Sequence, residues 1–281
     1  MATMILVYRL LILSNDVGFS EHLALLALVI GNTMIIMAGG NVINDILDIG
    51  ADRYNKPQKW YVGNVISKRG ASLFYLVLLL ISLLITLTIY IKTANRWLLI
   101  VFLASMILLF FYSRILKKIP LVGNFVVALL CVLSLWITPL TFSSDTKSLL
   151  PLTNHVHSIL LALSFFAWLT SIMREMVKDV QDKQGDKQAS TRTLAHLLAL
   201  TTLKNILVIL DILIILGLVA LIPVWSEKLH LVSIVYLYGL LLGAVFLLYR
   251  ISIMKKLEDW SRMSVCIKIY MVQGLIFLGL V

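Results

Sequence analysis

Eight apolar runs, at about 22 to 44, 71 to 91, 97 to 116, 121 to 142, 155 to 177, 198 to 222, 229 to 249 and 263 to 281, are each long enough to cross a bilayer. A helix needs about 20 apolar residues to span the hydrocarbon core, where only helices and closed barrels satisfy every backbone polar group. No alternating strand pattern competes with them. The expected fold is therefore all-α, a polytopic bundle of nine transmembrane helices in a single domain covering residues 1–281. The ninth is the first in the chain. MATMILVYRLLIL is short of a span and lacks the small-residue cleavage site of a signal peptide, so it reads as the tail of a membrane helix. Pro120, Pro151 and Pro223 fall near segment ends, where a helix breaker costs least.

With 60% hydrophobic and 14% charged residues and a mean hydropathy of +0.99, the chain is no ordinary soluble domain. Cys131 and Cys266 lie inside apolar runs and read as packing residues, not as a disulfide framework or a zinc site. A net charge of +10 raises the question of nucleic acid, but the position of the charges answers it. Of 24 Lys and Arg, 19 lie in or beside the connections that follow the second, fourth, sixth and eighth segments. Lys92, Arg96, Lys147 and Lys228 are on the other side, and Arg9 is in the first segment. That asymmetry belongs to membrane topology: no nucleic acid is expected, the basic side faces the cytoplasm, the N-terminus is inside and the C-terminus outside. Trp60, Trp97, Trp225 and Trp260, near segment ends, fit an interfacial aromatic belt.

The carboxylates are distributed just as unevenly. Seven of 14 occupy two stretches on the basic side: Asp45, Asp48 and Asp52 in NDILDIGAD, and Glu175, Asp179, Asp182 and Asp186 around KDVQDKQGD. Both stretches read D-x-x-D-x-x-x-D. On a helix those offsets share one face, so each stretch makes a column of acids roughly 10 Å long. Three acids in a column at a membrane surface repel one another and call for a cation. Two all-oxygen columns on one side suit Mg²⁺, which keeps waters and bridges one or two carboxylates to phosphate oxygens. Zinc lacks its Cys or His, and the EF-hand spacing of a calcium site is absent. A single D-x-x-D at a helix end would be an ordinary solvated loop; its duplication at the same spacing favours a functional reading.

Cations stand beside these acids: Arg53, Lys56 and Lys59 after the first column, Arg114, Lys117 and Lys118 in FYSRILKKIPLVGN, and Arg174, Lys178, Lys183, Lys187 and Arg192 around the second. They are suited to phosphate oxygens, although topology alone also places Lys and Arg in such loops.

These residues resemble the UbiA-type intramembrane prenyltransferases. N-D-x-x-D-x-x-x-D at Asn44 to Asp52 looks like the family's first aspartate-rich motif, D-x-x-D-x-x-x-D at Asp179 to Asp186 like its second, and YSxxLK at Tyr112 to Lys117 lies after the fourth segment, as in that family. REMVKDVQDKQGD, with Gly123 and Asn124, is most similar to the branch that transfers geranylgeranyl groups to geranylgeranylglyceryl phosphate. The resemblance implies a Mg²⁺-assisted transfer from a prenyl diphosphate to a lipophilic acceptor within the membrane. It implies catalytic roles for Asn44, Asp48, Asp52, Asp182, Asp186 and Lys117, and metal ligation by Asp45, Asp48, Asp52, Asp179, Asp182 and Asp186. Substrate contacts fall to Asn41, Tyr112, Ser113, Lys118, Asn124, Arg174, Lys178 and Arg192. Two departures stand out. The family's Arg-Pro-rich loop is here NKPQKWYVGN, which keeps Asn55, Pro57 and Gly63, and the first helix lacks the front portion that carries polar residues in the family.

His155 and His157 lie on the side away from the acids, and His196 follows the second motif as a weak candidate base. Asp211 interrupts an apolar run far from the basic side. An aromatic quinone precursor is an alternative acceptor. A cation-coupled transporter is the rival from another class, and it would be expected to gather its ionisable groups near the midplane.

Overall fold

The computed structural model describes residues 1–13, 23–55, 57–58, 60–142, 154–188, 193–226 and 229–281. Among them the regular structure is helical, apart from one isolated β-bridge between Val62 and Ile66. The helices are α1 (Ala2–Leu13), α2 (Leu23–Leu47), α3 (Ile49–Asn55), α4 (Lys68–Thr93), α5 (Arg96–Arg114), α6 (Val122–Phe142), α7 (Asn154–Gln188), α8 (Leu194–Leu197), α9 (Leu200–Ser226), α10 (Leu231–Ile253) and α11 (Leu257–Leu280). Eight of these are long and apolar enough to cross a membrane, and each overlaps one of the eight apolar runs. α1 is the short first segment; it packs on α6 and α11, and its Arg9 guanidinium donates to the Gly279 carbonyl.

Hydropathy underestimates two helices. α7 continues 11 residues past the apolar run that ends at 177, and α11 begins six residues before the run at 263. At ~52 Å, α7 is longer than the ~30 Å hydrocarbon core, so its charged last turns need not be lipid-embedded and the backbone ladder continues without an apolar signal. Pro223 does not end α9, which runs on to Ser226. The aromatic-belt expectation fails for two tryptophans: Trp225 and Trp260 are 2% and 4% exposed and belong to the main core. Trp225 stacks on Phe277, with centroids 5.8 Å apart and planes 14° from parallel.

That core gathers around α7, which faces α6 on one side and α9 and α11 on the other. A second cluster joins α2, α4 and α5. There the only apolar-to-apolar preference is lipid-like on both sides of the interface, so polar contacts help to fix the pairing. Asn32 on α2 is fully buried, donates to Thr86 Oγ1 at 2.8 Å and accepts from Ser82 Oγ at 2.7 Å, both on α4. Asn32→Leu orphans both hydroxyls and should lower stability by about 1 kcal/mol. Its thermal unfolding midpoint in detergent is expected to fall while the KM for substrate stays near wild type.

Candidate active site

The two acidic stretches meet at one end of the helices. α2 stops at Leu47 and α3 starts at Ile49, so the first column does not ride on one uninterrupted helix. Asp48 sits at the join. Helical hydrogen bonds still cross it, from Asp48 N to Asn44 O and from Asp52 N to Asp48 O, both 2.8 Å, so the spacing survives the break. Asp179, Asp182 and Asp186 lie on continuous α7, against which α3 packs.

One side chain ties the stretches together. Asn55, the last residue of α3, donates Nδ2 to the Asp182 carbonyl at 3.1 Å and accepts from the Gly185 amide at 2.9 Å. Gly185 is what permits this approach, because a Cβ there would stand 2.4 Å from the Asn55 amide group. The clamp holds the end of the first stretch between the second and third aspartates of the other.

A third wall comes from the turn between α5 and α6. Gly123 opens α6 with no Cβ, which would lie 2.9 Å from the Lys117 Cα, so the α6 N-terminus packs directly on the 3-10 turn Leu116–Lys118. From this turn Lys117 forms an ion pair with Asp48 and donates to Asn44 Oδ1 at 3.1 Å. Lys117 therefore supplies one positive charge to the first column. On the other side, Asn124 donates to Asp179 Oδ2 at 3.2 Å. Asp186 is in electrostatic range of Asp48 and Lys117 across the cleft, and of Asp182 and Lys178 on its own helix. Tyr112 lies between the stretches, in range of Glu175, Asp179, Asp48 and Arg174.

Asn44, Asp48, Asp52, Lys117, Tyr112, Asn124, Asp179, Asp182 and Asp186 thus come together at one end of the molecule. Asn41 is exposed on α2 a turn before Asn44, Asp45 is exposed on α2, and Lys118 is exposed next to Lys117. Ser113 is buried, and its hydroxyl has no hydrogen-bond partner. Arg174 pairs with the neighbouring Glu175. Arg192, Lys56 and Lys59 lie outside the described residues. His196 is engaged by Thr193 and by the Lys183 carbonyl, which makes it a cap for α8. One feature lacked a sequence assignment, the Asn55–Gly185 clamp, which joins residues 130 apart. Glu175, read with the second acidic stretch but given no role there, is 6% exposed and stands one turn before Asp179.

The donors at this junction are carboxylate and amide oxygens, which fit a hard divalent cation. Among the described residues no three acidic, His or Cys side chains are grouped to hold an ion unaided. Mg²⁺ takes few protein ligands and completes its shell with water and phosphate oxygens. Asp211 is fully buried within α9, and neither of its carboxylate oxygens has a hydrogen-bond partner. The paired columns, joined by the α3–α7 clamp, lie at one end of the helices, whereas a transporter would be expected to gather its ionisable groups near mid-depth.

Behind the junction lies a cavity of about 220 Å³. α1, α6, α7, α9, α10 and α11 enclose it, and its walls are largely aliphatic and aromatic. Cys131 in its wall is in electrostatic range of Glu175 and Arg174, which places the near end of the cavity beside the polar junction.

Comparison with known proteins finds relatives in sequence and in structure. A digeranylgeranylglyceryl phosphate synthase of Saccharolobus solfataricus is 30% identical over 259 residues, spanning 91% of this chain and 83% of that one. A synthase of the same name from Sulfolobus acidocaldarius is 32% identical over 242 residues, spanning 86% and 80%. A solved structure concerning digeranylgeranylglyceryl phosphate synthase superimposes with a TM-score of 0.70 at 24% identity, over 99% of this chain and 90% of that one. A UbiA homologue from Archaeoglobus fulgidus, solved with GPP and Mg²⁺, superimposes with a TM-score of 0.64 at 15% identity, over 99% and 96%. The model of the UbiA prenyltransferase family matches residues 2–272, nearly the whole chain, and the chain belongs to that family of integral-membrane prenyltransferases.

Proposed function

We propose that this prenyltransferase moves a geranylgeranyl group from its diphosphate to the free hydroxyl of geranylgeranylglyceryl phosphate. The observation that carries the reading is the clamped junction of two aspartate stretches, with an apolar cavity on the membrane side of it. The names of the relatives support the acceptor, and the Mg²⁺ and prenyl diphosphate in the Archaeoglobus fulgidus homologue support the metal and donor. The excess of Lys and Arg at the junction end supports a site facing the cytoplasm.

In this reading Asp48 and Asp52 on one side, and Asp182 and Asp186 on the other, hold Mg²⁺, with Asn44, Asp45 and Asp179 in support. Bound there, the metal supplies Lewis-acid stabilisation of the diphosphate as the allylic C–O bond breaks. Lys117 has three donors, so its ammonium can serve Asn44, Asp48 and a phosphate oxygen together. Arg174, Lys178 and Arg192 add positive charge for the two anionic substrates. Tyr112, in electrostatic range of both stretches, offers an aromatic ring beside the developing allylic cation. The acceptor oxygen bonds to the allylic carbon in place of the broken bond to diphosphate, and its proton leaves with the diphosphate. The cavity keeps bulk water from the cation in the meantime.

The acceptor is tested by incubating purified protein with geranylgeranyl diphosphate and Mg²⁺ against geranylgeranylglyceryl phosphate, a quinone-precursor ring and simple prenols, with products identified by mass. Ether formation with the glyceryl phosphate lipid alone is expected. Preferential prenylation of the aromatic ring would contradict it.

A further inference from the structure

Trp225 and Phe277 form a stacked, fully enclosed pair that reaches from α9 to α11, and both line the cavity behind the junction. Their depth follows from a marker at the other end. Gln181 on α7 donates to Ser261 on α11 at 3.1 Å, so Ser261 lies level with the second aspartate stretch. Phe277 is ~24 Å further along the same helix. On α7 the cavity wall begins at Ser171, ~15 Å from Gln181, and extends to Leu163, ~27 Å from it. The cavity therefore runs away from the junction, and the aromatic pair stands at its deep end.

Gly274 lies on the same wall, one turn nearer the junction than Phe277. A Cβ built there meets nothing within 4 Å. The glycine stands on the cavity wall with open space at its Cβ, so a side chain added at this position starts in the cavity.

We infer that Trp225 and Phe277 set the longest isoprenoid tail the donor can carry, and that Gly274 leaves open the last part of that path. This rests on the transferase reading above. A tail anchored by its diphosphate at the junction must extend down the cavity, and a chain one isoprene unit too long meets two stacked rings held by the core. A well-packed interior resists such overfilling. A shorter tail fits but forfeits apolar contacts near the floor, so the site favours the longest chain that stops short of the pair.

The test compares kcat/KM for geranyl, farnesyl, geranylgeranyl and farnesylgeranyl diphosphates with one acceptor, in the full chain and two variants. Gly274→Phe fills the path, and the ratio of geranylgeranyl to geranyl turnover should fall about tenfold or more, since discrimination of this size follows from small volume changes in an apolar pocket. Trp225→Ala removes half of the floor, and the ratio of farnesylgeranyl to geranylgeranyl turnover should rise by about tenfold. Should Trp225→Ala fail to fold, Gly274→Phe decides the matter alone, because its side chain starts in open space. Unchanged donor ratios in a folded Gly274→Phe protein, or an equal loss with every donor, would overturn the inference and leave the transferase reading intact. Wild-type protein that turned over no prenyl diphosphate would overturn both.

Discussion

Asp48→Asn and Asp182→Asn each lower kcat for prenyl transfer by about 100-fold or more, while the protein keeps its unfolding midpoint in detergent. Asparagine keeps the shape of aspartate and can still accept from the Lys117 ammonium that pairs with Asp48. What it removes is one negative charge whose proposed partner is the metal and its diphosphate. The two substitutions act from different helices, α7 and the α2–α3 join. Equal dependence on both would therefore mean that both columns serve one centre. Steady-state rates at saturating Mg²⁺, measured with a thermal unfolding curve on each preparation, check this. Near-wild-type turnover in either variant would remove that aspartate from the site.

Asn55→Ala and Gly185→Ala are expected to be nearly as damaging and, unusually for two separate positions, not additive. Alanine at 55 removes both hydrogen bonds to the α7 backbone. Alanine at 185 leaves Asn55 in the chain but puts a methyl group where its amide now lies, 2.4 Å from those atoms. Either change releases the same clamp and lets the two acidic stretches drift apart. A displacement of about 1 Å in such a site costs on the order of 100-fold in rate. In the double variant the second substitution has nothing left to break, so the coupling energy should approach the full effect of one substitution. Independent, additive losses would show that the two residues do not act as one clamp. Neither residue contacts substrate in this account; they position others. Their loss should also raise the Mg²⁺ concentration needed for half-maximal rate, which a purely structural defect would leave unmoved.

Much of this architecture was legible in the sequence because lipid imposes a strict rule. The run at 198 to 222 and α9 at Leu200–Ser226 agree so closely because every residue between them must satisfy its backbone within the helix. Where water replaces lipid the rule lapses: the apolar run ends at 177 although α7 continues to Gln188, and there the helix was legible only in the spacing of its aspartates. The acidic columns were visible because helical periodicity and spacing are local properties. The break at Asp48 was not, since the residues on either side are ordinary helix formers and the interruption coincides with the ion pair that Lys117 makes across space. Asn55 was noticed only as a residue kept from a loop, and nothing local connects it with a glycine 130 residues away. Trp225 was read as an interfacial anchor from its place near a segment end, but the direction in which a side chain leaves its helix depends on neighbours that sequence alone does not place. In the structure it turns inward onto Phe277.

The central claim is that both aspartate stretches hold one Mg²⁺-dependent diphosphate centre from which the prenyl group leaves. The most direct measurement is diphosphate release from geranylgeranyl diphosphate by purified protein, followed with and without Mg²⁺ and with and without geranylgeranylglyceryl phosphate. Sustained release that requires both, with one ether product for each diphosphate, is the predicted result. Release that proceeds equally in the presence of a metal chelator would contradict it.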